Sequence, residues 1–534
     1  MELTYYTAKI VIKDAKIIAQ PPFFDYFYGL LNINPIKINL LFKIKYIMPI
    51  RELQPAAIWN YFYDITQIPR PSKKEEAILS YLLDFAKKHN LDAKQDKAGN
   101  IIITKEATPG KEKLPTLILQ SHVDMVCEKN SDVEHDFDND PIETVIDGDW
   151  VKAKGTTLGA DNGIGVAAEL ALLAADDISH GKIEALFTVD EETGLTGANS
   201  LEKDFLTGSL LINLDTEEEG EIYIGCAGGK GTKAYFEYKE KDSPKKYFWF
   251  EIKVKGLRGG HSGSDIDKGF GNANKILTRF LHSLSRKKYG LKLSKIEGGN
   301  LHNAIPREAK AILGVKEKYK EDIRVKLNNF LADIQEELKH TEPNIDIQME
   351  SVQIPSKVIN KGTTERLILA LYACPHGVIG MSEDIPGLVE TSTNLASIKM
   401  LSDRKIEVGT SQRSSSESQK KYIVNMVTSV FELAGAKIVN NDGYPGWQPN
   451  PDSELLKVAQ KEYKKLYNKE PKVKAIHAGL ECGLFLEKYP NLDMISIGPD
   501  MTDVHSPDEK MKISSVGKFW DYLVKILENL PEEK

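Results

Sequence analysis

The stretch Thr-Leu-Ile-Leu-Gln-Ser-His-Val-Asp, residues 116–124, joins an apolar run to a histidine and an aspartate. Residues 183–189 and 209–214 form two further apolar runs, and acidic residues follow each of them directly. Runs without polar alternation are typical of strands that are buried on both faces of a parallel sheet. Open α/β sheets bind ligands at the carboxyl edge of their strands, so the sequence predicts a functional site at that edge.

Five short clusters carry residues of the types that bind divalent metals. They are Ser-His-Val-Asp at 121–124, Gly-Ala-Asp-Asn-Gly at 159–163, Val-Asp-Glu-Glu-Thr-Gly at 189–194, Leu-Asp-Thr at 214–216 and Val-His-Ser-Pro at 504–507. Two imidazoles and several carboxylates can hold a pair of ions and leave positions open for water and substrate. Three carboxylates, two neutral imidazoles and one hydroxide would also balance the charge of two divalent cations. We therefore interpret the chain as a two-metal hydrolase.

Each cluster taken alone has an ordinary structural interpretation. A histidine after a strand is usually structural, and the acidic clusters are also typical of solvated turns and helix caps. The metal hypothesis depends on their joint occurrence. Asp124 lies two residues after His122, and that spacing puts both side chains on one face of an extended segment. A carboxylate placed there accepts the second imidazole N–H and orients the ligand. Residue chemistry leaves open which of Glu191 and Glu192 binds metal and which acts as a base.

Together, the motifs resemble the dinuclear-zinc M20 metallopeptidases, most closely their aminoacyl-histidine dipeptidase (Xaa-His dipeptidase) branch. The resemblance runs from about residue 50 to the end of the chain and includes three further motifs. These are Gly-Gly-His-Ser-Gly at 259–263, His-Asn-Ala-Ile-Pro-Arg at 302–307 and His-Ala-Gly-Leu-Glu-Cys-Gly at 477–483. The resemblance implies two divalent ions, zinc first, with manganese or cobalt as alternatives because imidazole and carboxylate donors accept all three. The metal ligands that it implies are His122, Asp161, Glu192, Asp215 and His505, with Asp161 bridging both ions.

The same resemblance implies roles for the residues around the metals. Glu191 would be the general base that takes a proton from the bridging water. His261 would stabilise the oxyanion, either from its own subunit or from the partner subunit of a homodimer. Asn303 and Arg413 would grip the substrate, because the guanidinium of Arg413 suits a bidentate hold on a free C-terminal carboxylate.

We expect an α/β fold: a zinc-peptidase-like catalytic domain with a mostly parallel central sheet, interrupted by an inserted α+β lid or dimerisation domain. A chain of 534 residues is too long for one hydrophobic core. The predicted boundaries are 48–228 for the first catalytic part, 229–440 for the insertion and 441–534 for the second catalytic part. In the insertion, strand–helix–strand patterns recur between residues 247 and 352. Residues 1–47 are interpreted as sequence added by an upstream start codon, with an extra strand or interface arm as the alternative.

The composition predicts a cytoplasmic enzyme with a small-molecule partner. A net charge of −8 and a pI near 5.9 argue against nucleic acid as a partner. No apolar stretch is long enough to predict a membrane span. The four cysteines are widely spaced and form no CxxC pair, which is typical of reduced thiols in the cytosol.

Three functions remain open at this point. The first is a dipeptidase that cleaves Xaa-His and other dipeptides. The second is a related tripeptidase or N-acyl amino acid amidohydrolase with the same metals and a different pocket. The third is a noncatalytic, metal-stabilised binding protein, against which the presence of Glu191 argues, because a protein that only binds needs no base beside its metals.

Overall fold

The computed structural model of the protein describes residues 49–285 and 289–532. The predictions for residues 1–47 lie outside these described residues. The α-helices in them are α1 (Ala56–Thr66), α2 (Glu76–Lys88), α3 (Ala160–Ala174), α4 (Glu191–Gly194), α5 (Thr196–Ser200), α6 (Ala273–Ser285), α7 (Lys320–Glu337), α8 (Lys361–Ala373), α9 (Glu417–Leu433), α10 (Glu454–Tyr467), α11 (Glu481–Lys488) and α12 (Ile513–Glu528). Two short 3₁₀ helices span Ile50–Glu52 and Glu317–Tyr319.

The strands alternate with these helices along most of the chain. They are β1 (Asp92–Gln95), β2 (Ile101–Lys105), β3 (Leu117–His122), β4 (Thr144–Asp147), β5 (Trp150–Ala153), β6 (Ile183–Thr188), β7 (Leu210–Asn213), β8 (Glu221–Cys226), β9 (Gly228–Glu237), β10 (Glu240–Asp242), β11 (Tyr247–Lys255), β12 (Lys292–Gly298), β13 (Ala309–Lys316), β14 (Asp346–Ser351), β15 (Lys357–Ile359), β16 (Gly377–Met381), β17 (Val389–Met400), β18 (Lys405–Ser414), β19 (Lys437–Asn440), β20 (Lys472–Ile476), β21 (Asp493–Ser496), β22 (Met501–Thr502) and β23 (Lys510–Lys512).

An eight-stranded sheet, in the order β1-β2-β6-β3-β7-β21-β8-β20, contains the three apolar runs of the sequence as β3, β6 and β7. Strands β6, β3, β7 and β21 pair in parallel at its centre, whereas β1 and β2 are antiparallel at one edge. Every residue of β3 and β6 is buried, as expected of strands that are covered on both faces. The structure thus has the parallel centre that the sequence predicted.

A second, nine-stranded sheet is antiparallel throughout, in the order β14-β11-β13-β12-β17-β18-β9-β19, with β16 paired to β17. Helices α6 and α9 pack on its strands. The strand–helix–strand patterns predicted between residues 247 and 352 occur here. Sequence reasoning missed the helix α8, the strand β9 of ten residues and the shorter strands β10, β15, β16 and β19.

A four-stranded sheet, in the order β22-β23-β5-β4, lies beside the larger sheets. Its pairing of β23 with β5 fixes the segment between β22 and β23, in which His505 lies. This sheet was not predicted, because its strands have only two to four residues each. Through the pairing of β23 with β5, the segment that carries His505 lies beside residues that are far from it in the sequence.

Buried apolar side chains form two main clusters, one from residues 50–226 and 447–530 and the other from 234–434. The predicted boundaries at 228 and 440 fall near this division. Residues 50–534 nevertheless form one compact unit by backbone contacts, so the domain boundaries stay a prediction. The two segments that cross between the clusters run side by side, because Cys226 pairs with Trp447 and Gly229 pairs with Tyr444 through backbone hydrogen bonds.

Within the described ranges, no helix has both the length and the apolar character needed to cross a membrane. The cysteines are free thiols. Burial raises the pKa of the Cys127 thiol to about 11 and that of Cys482 well above its ordinary value. Both thiols are therefore protonated at neutral pH, as expected of the packing residues that the sequence predicted.

Candidate active site

The candidate metal ligands lie where the central parallel strands end. His122 is the last residue of β3, Glu192 follows β6 in α4, and Asp215 follows β7. Asp161 lies at the start of α3, and its backbone angles are not yet helical. His505 reaches the same place from the loop between β22 and β23. Residues that are hundreds of positions apart therefore meet at one edge of the sheet, which is the position predicted for the site.

These side chains form two donor groups with one shared member. His122, Asp161 and Asp215 form the first, and Asp161, Glu192 and His505 form the second, with the ligand atoms of each group within 4.8 Å of one another. The Nε2 atom of His122 lies 3.1 Å from Asp161 Oδ1 and 3.4 Å from Asp215 Oδ1. The Nε2 atom of His505 lies 3.1 Å from Asp161 Oδ2 and 3.0 Å from Glu192 Oε2. Asp161 thus turns one oxygen toward each histidine.

The donor set fits a pair of divalent cations. Imidazole nitrogen and carboxylate oxygen are ligands that Zn²⁺, Mn²⁺ and Co²⁺ accept. The Oε1 atom of Glu192 is buried and has no hydrogen-bond partner among the described residues, so it is available to an ion. Burial, together with neighbouring carboxylates, raises the pKa of Asp215 to about 6 and that of Glu191 well above its ordinary value. Two cations would offset this accumulated negative charge.

Asp124 connects His122 to the acidic pair. Its Oδ1 atom lies 3.3 Å from His122 Nδ1 and accepts the backbone N–H of Glu191 at 3.0 Å. Its Oδ2 atom accepts the N–H of Glu192 and the hydroxyl of Ser72. Burial alone would raise the pKa of Asp124, but these partners hold it at about 2. The side chain is therefore an ionised carboxylate in position to orient the imidazole.

His261 of the same chain lines the cleft of about 390 Å³ that contains the metal ligands and Glu191. A histidine of the same chain therefore lies at the site, and the alternative of a partner subunit's histidine stays a prediction. The backbone N–H groups of Gly263 and Ser264 point at its Nδ1 atom, at 3.3 and 3.2 Å. Burial and the nearby Arg413 lower its pKa to about 4. The imidazole is therefore neutral at pH 7.

Arg413 lies next to His261, outside the lining of the cleft. Its Nη2 atom is 3.4 Å from His261 Nε2, and its Nη1 atom donates to the hydroxyl of Tyr444 at 2.8 Å. Its Nε atom is buried without a hydrogen-bond partner in the described structure. Asn303 is adjacent through its backbone, because its carbonyl accepts the N–H of Ser262 at 2.7 Å. The structure thus groups both residues around the His261 turn, and their substrate contacts stay a prediction.

Sequence reasoning missed several buried polar residues beside the site. Arg70 donates to the carbonyls of Val123 and Asp124 at 2.8 and 2.7 Å, and Glu509 accepts backbone N–H groups of the loop before α3. Glu481 accepts from the side chains of Gln120 and Thr188, below the ends of β3 and β6. No spacing pattern marks these residues, because their partners are backbone groups or are distant in sequence. Because Arg70 and Glu509 are charged, their residue types alone predict side chains that are exposed to solvent.

Comparison with known proteins assigns the family. The model of peptidase family M20/M25/M40 matches residues 118–529, which include all five candidate metal ligands. The chain belongs to this family. Its members are peptidases, so this M20 protein is a hydrolase that acts on peptide bonds.

Two relatives are similar to this M20 peptidase over nearly their whole length. The cytosol non-specific dipeptidase of Escherichia coli (strain K12) is 43% identical over 480 residues, which cover 90% of this chain and 99% of that protein. The crystal structure of aminoacylhistidine dipeptidase from Vibrio alginolyticus has a TM-score of 0.85 at 44% identity, covering 91% of this chain and 99% of that one. A tripeptidase from Staphylococcus aureus shares the fold alone, with a TM-score of 0.52 at 18% identity, covering 89% of this chain and 98% of that chain.

Proposed function

We propose that this M20 peptidase is a metal-dependent dipeptidase that hydrolyses Xaa-His and other dipeptides. The observation that carries the proposal is the pair of donor groups that share Asp161, with Glu191 beside them in one cleft. The names and the high identity of the Escherichia coli and Vibrio alginolyticus relatives support a dipeptide as the substrate. A volume of about 390 Å³ also suits a short peptide.

The cleft is acidic at the metal ligands and has the cationic Arg413 beside it, which supports a substrate with a free C-terminal carboxylate. Acidic residues surround the metal ligands, including Glu217 and Glu218 in the lining. On the other side, Arg413 lies beside His261 with a buried, unpartnered Nε atom. A guanidinium with a free N–H edge is suited to a carboxylate. In the proposed function, Arg413 and Asn303 hold the C-terminal end of the dipeptide.

In the proposed mechanism, the five ligands would hold two divalent ions, whose Lewis acidity would polarise the scissile carbonyl and lower the pKa of a bound water molecule. Glu191 takes a proton from that water as its oxygen attacks the carbonyl carbon. His261 stabilises the carbonyl oxygen as negative charge develops on it. Glu191 then gives the proton to the amide nitrogen as the C–N bond breaks. Asp124 keeps His122 in the required orientation throughout.

We further propose zinc as the native metal, with manganese and cobalt as alternatives, since the donor set accepts each of them. A cytosolic location is proposed from the name of the Escherichia coli relative. A homodimer is also proposed, as the family resemblance implies.

The test is an assay on a panel of substrates before and after chelation, with the metal content measured in parallel. Xaa-His and other dipeptides should be cleaved, and activity should disappear with the metals and return when zinc or manganese is added. A dipeptide amide should be a poor substrate because it lacks the carboxylate. Preference for tripeptides or N-acetyl amino acids would favour the related amidohydrolases, and two bound ions without any turnover would favour the binding protein.

A further inference from the structure

The carboxylate of Glu509 connects two segments that carry candidate metal ligands. The backbone N–H groups of residues 158–161 all donate to it, at distances from 2.7 to 3.4 Å. This loop ends at Asp161, whereas Glu509 follows His505 by four residues. Asp161 and His505 are 344 positions apart in the chain. One side chain therefore connects these two ligand segments directly.

The hydrogen bonds of Glu509 use both of its oxygens equally. Oε2 accepts the N–H groups of Leu158 and Gly159, and Oε1 accepts those of Ala160 and Asp161. The residue is only 2% exposed. Burying a carboxylate costs free energy unless hydrogen-bond donors replace the water molecules that it loses. Here the loop supplies four such donors. Glu509 in turn accepts hydrogen bonds from the N–H groups just before α3 and in its first turn. These groups have no partner within the helix.

Arg70 holds the same loop from the other side. Its Nη2 atom donates to the carbonyl of Gly159, the residue whose N–H donates to Glu509. Gly159 has a φ of +68°, and a Cβ atom there would lie 2.5 Å from Arg70 Nη2 and 2.8 Å from Met125 Sδ. The loop therefore has little freedom to adjust if one of its two charged partners is lost.

We propose that Glu509 is a positioning residue for the metal pair: it holds Asp161 and His505 at the separation that both ions require. The inference rests on the proposed metal ligands, and Glu509 itself contacts no ion in it. A Gln at this position presents one N–H₂ group to two backbone N–H donors, so two hydrogen bonds are lost and the loop shifts. Residues that orient metal ligands typically change metal affinity by about 10- to 100-fold when they are altered.

The experiment compares Glu509→Gln with Glu184→Gln as a matched control. Glu184 is also 2% exposed and also accepts backbone N–H groups, those of Thr207 and Gly208, but it lies at the far end of β6 from the site. Zn²⁺ affinity is measured by competition with a chromophoric chelator, and folding is followed by circular dichroism. We expect a 10- to 100-fold weaker affinity in Glu509→Gln with the native fold kept, and an unchanged affinity in Glu184→Gln.

A second variant, Glu509→Asp, covers the case in which Glu509→Gln does not fold. It keeps the charge but is one methylene shorter, so its affinity should lie between those of the wild type and the Gln variant. Wild-type affinity in a folded Glu509 variant would overturn the inference, as would equal losses in Glu509→Gln and Glu184→Gln or failure of both Glu509 variants to fold. If the wild-type protein took up no divalent ions, the proposed function itself would fail.

Discussion

Asp161 places one carboxylate oxygen 3.1 Å from His122 and the other 3.1 Å from His505. This arrangement places carboxylates and imidazoles close together. Bound cations would offset the electrostatic repulsion among the carboxylates. The contact of Glu192 with His505 at 3.0 Å favours Glu192 as the ligand of the two adjacent glutamates. Glu191 also lies within reach of His122 and Glu192, so its role as the base stays a prediction.

Replacing Glu191 by Gln should separate catalysis from metal binding. The amide keeps the shape of the side chain but cannot take a proton, so kcat should fall by about 10²- to 10⁴-fold. Metal content, measured by plasma emission spectroscopy, should stay at the wild-type value. Glu202→Gln, a change at a surface acid paired with Lys97, serves as the control and should leave kcat unchanged. A Glu191→Gln enzyme as active as the parent would place the base elsewhere.

Some strands of this protein can be predicted from the sequence, and others cannot. Strands β3 and β6 were predicted because every residue is buried, which leaves a continuous apolar run. The edge strand β1 is mostly exposed and contains Asp, Lys and Gln, so its sequence does not distinguish it from a loop.

The connection between α8 and β16 contains a histidine that makes stability depend on pH. Burial and the neighbouring Lys275 lower the pKa of His376 to about 4, and Asn272 Nδ2 lies 3.4 Å from its Nδ1 atom. The unfolded chain, with a pKa near 6.5, binds the proton first as the pH falls, so stability is lost between about pH 6.5 and pH 4. At pH 5 the expected loss is about 2 kcal/mol relative to pH 7.5.

His376→Gln should remove this dependence. Urea unfolding midpoints at pH 7.5 and pH 5 provide the measurement, and the difference between the two should shrink in the variant. His340→Gln, a change at an exposed histidine in the same part of the chain, is the control and should follow the wild type. An unchanged pH difference in His376→Gln would mean that other groups carry the acid sensitivity.

At the scale of the whole molecule, the cleft is built from both large sheets. The metal ligands come from the region of the eight-stranded sheet, whereas His261 belongs to the region of the nine-stranded one. The two regions are joined through residues 226–229 and 444–447, which are hydrogen-bonded to each other. The distance from His261 to the metal ligands therefore depends on how closely these two segments pack.

Gly228→Ala should disturb this packing. A Cβ atom at Gly228 would lie 2.4 Å from the backbone N of Gly446 and 2.6 Å from the carbonyl carbon of Pro445. Overpacking of this kind costs about 1–3 kcal/mol, and the shift should also lower kcat/KM because it moves His261. Urea unfolding and steady-state kinetics measure the two effects. Gly380→Ala, where the nearest atom would be 4.0 Å away, should change neither; a fully active Gly228→Ala enzyme would contradict the expectation.

The amino-acid sequence by itself determined the parallel centre of the main sheet, most elements of the antiparallel one and the residue types of the candidate site. These features are local: burial on two faces leaves apolar runs, and chemistry-bearing residues follow the strand ends. Only the tertiary structure decided that Asp161 lies between His122 and His505, that His261 enters the cleft of its own chain, and that Arg70 and Glu509 hold the loop between them. Those relations join residues up to 351 positions apart, and buried charge partners of backbone groups leave no periodic signal in the chain.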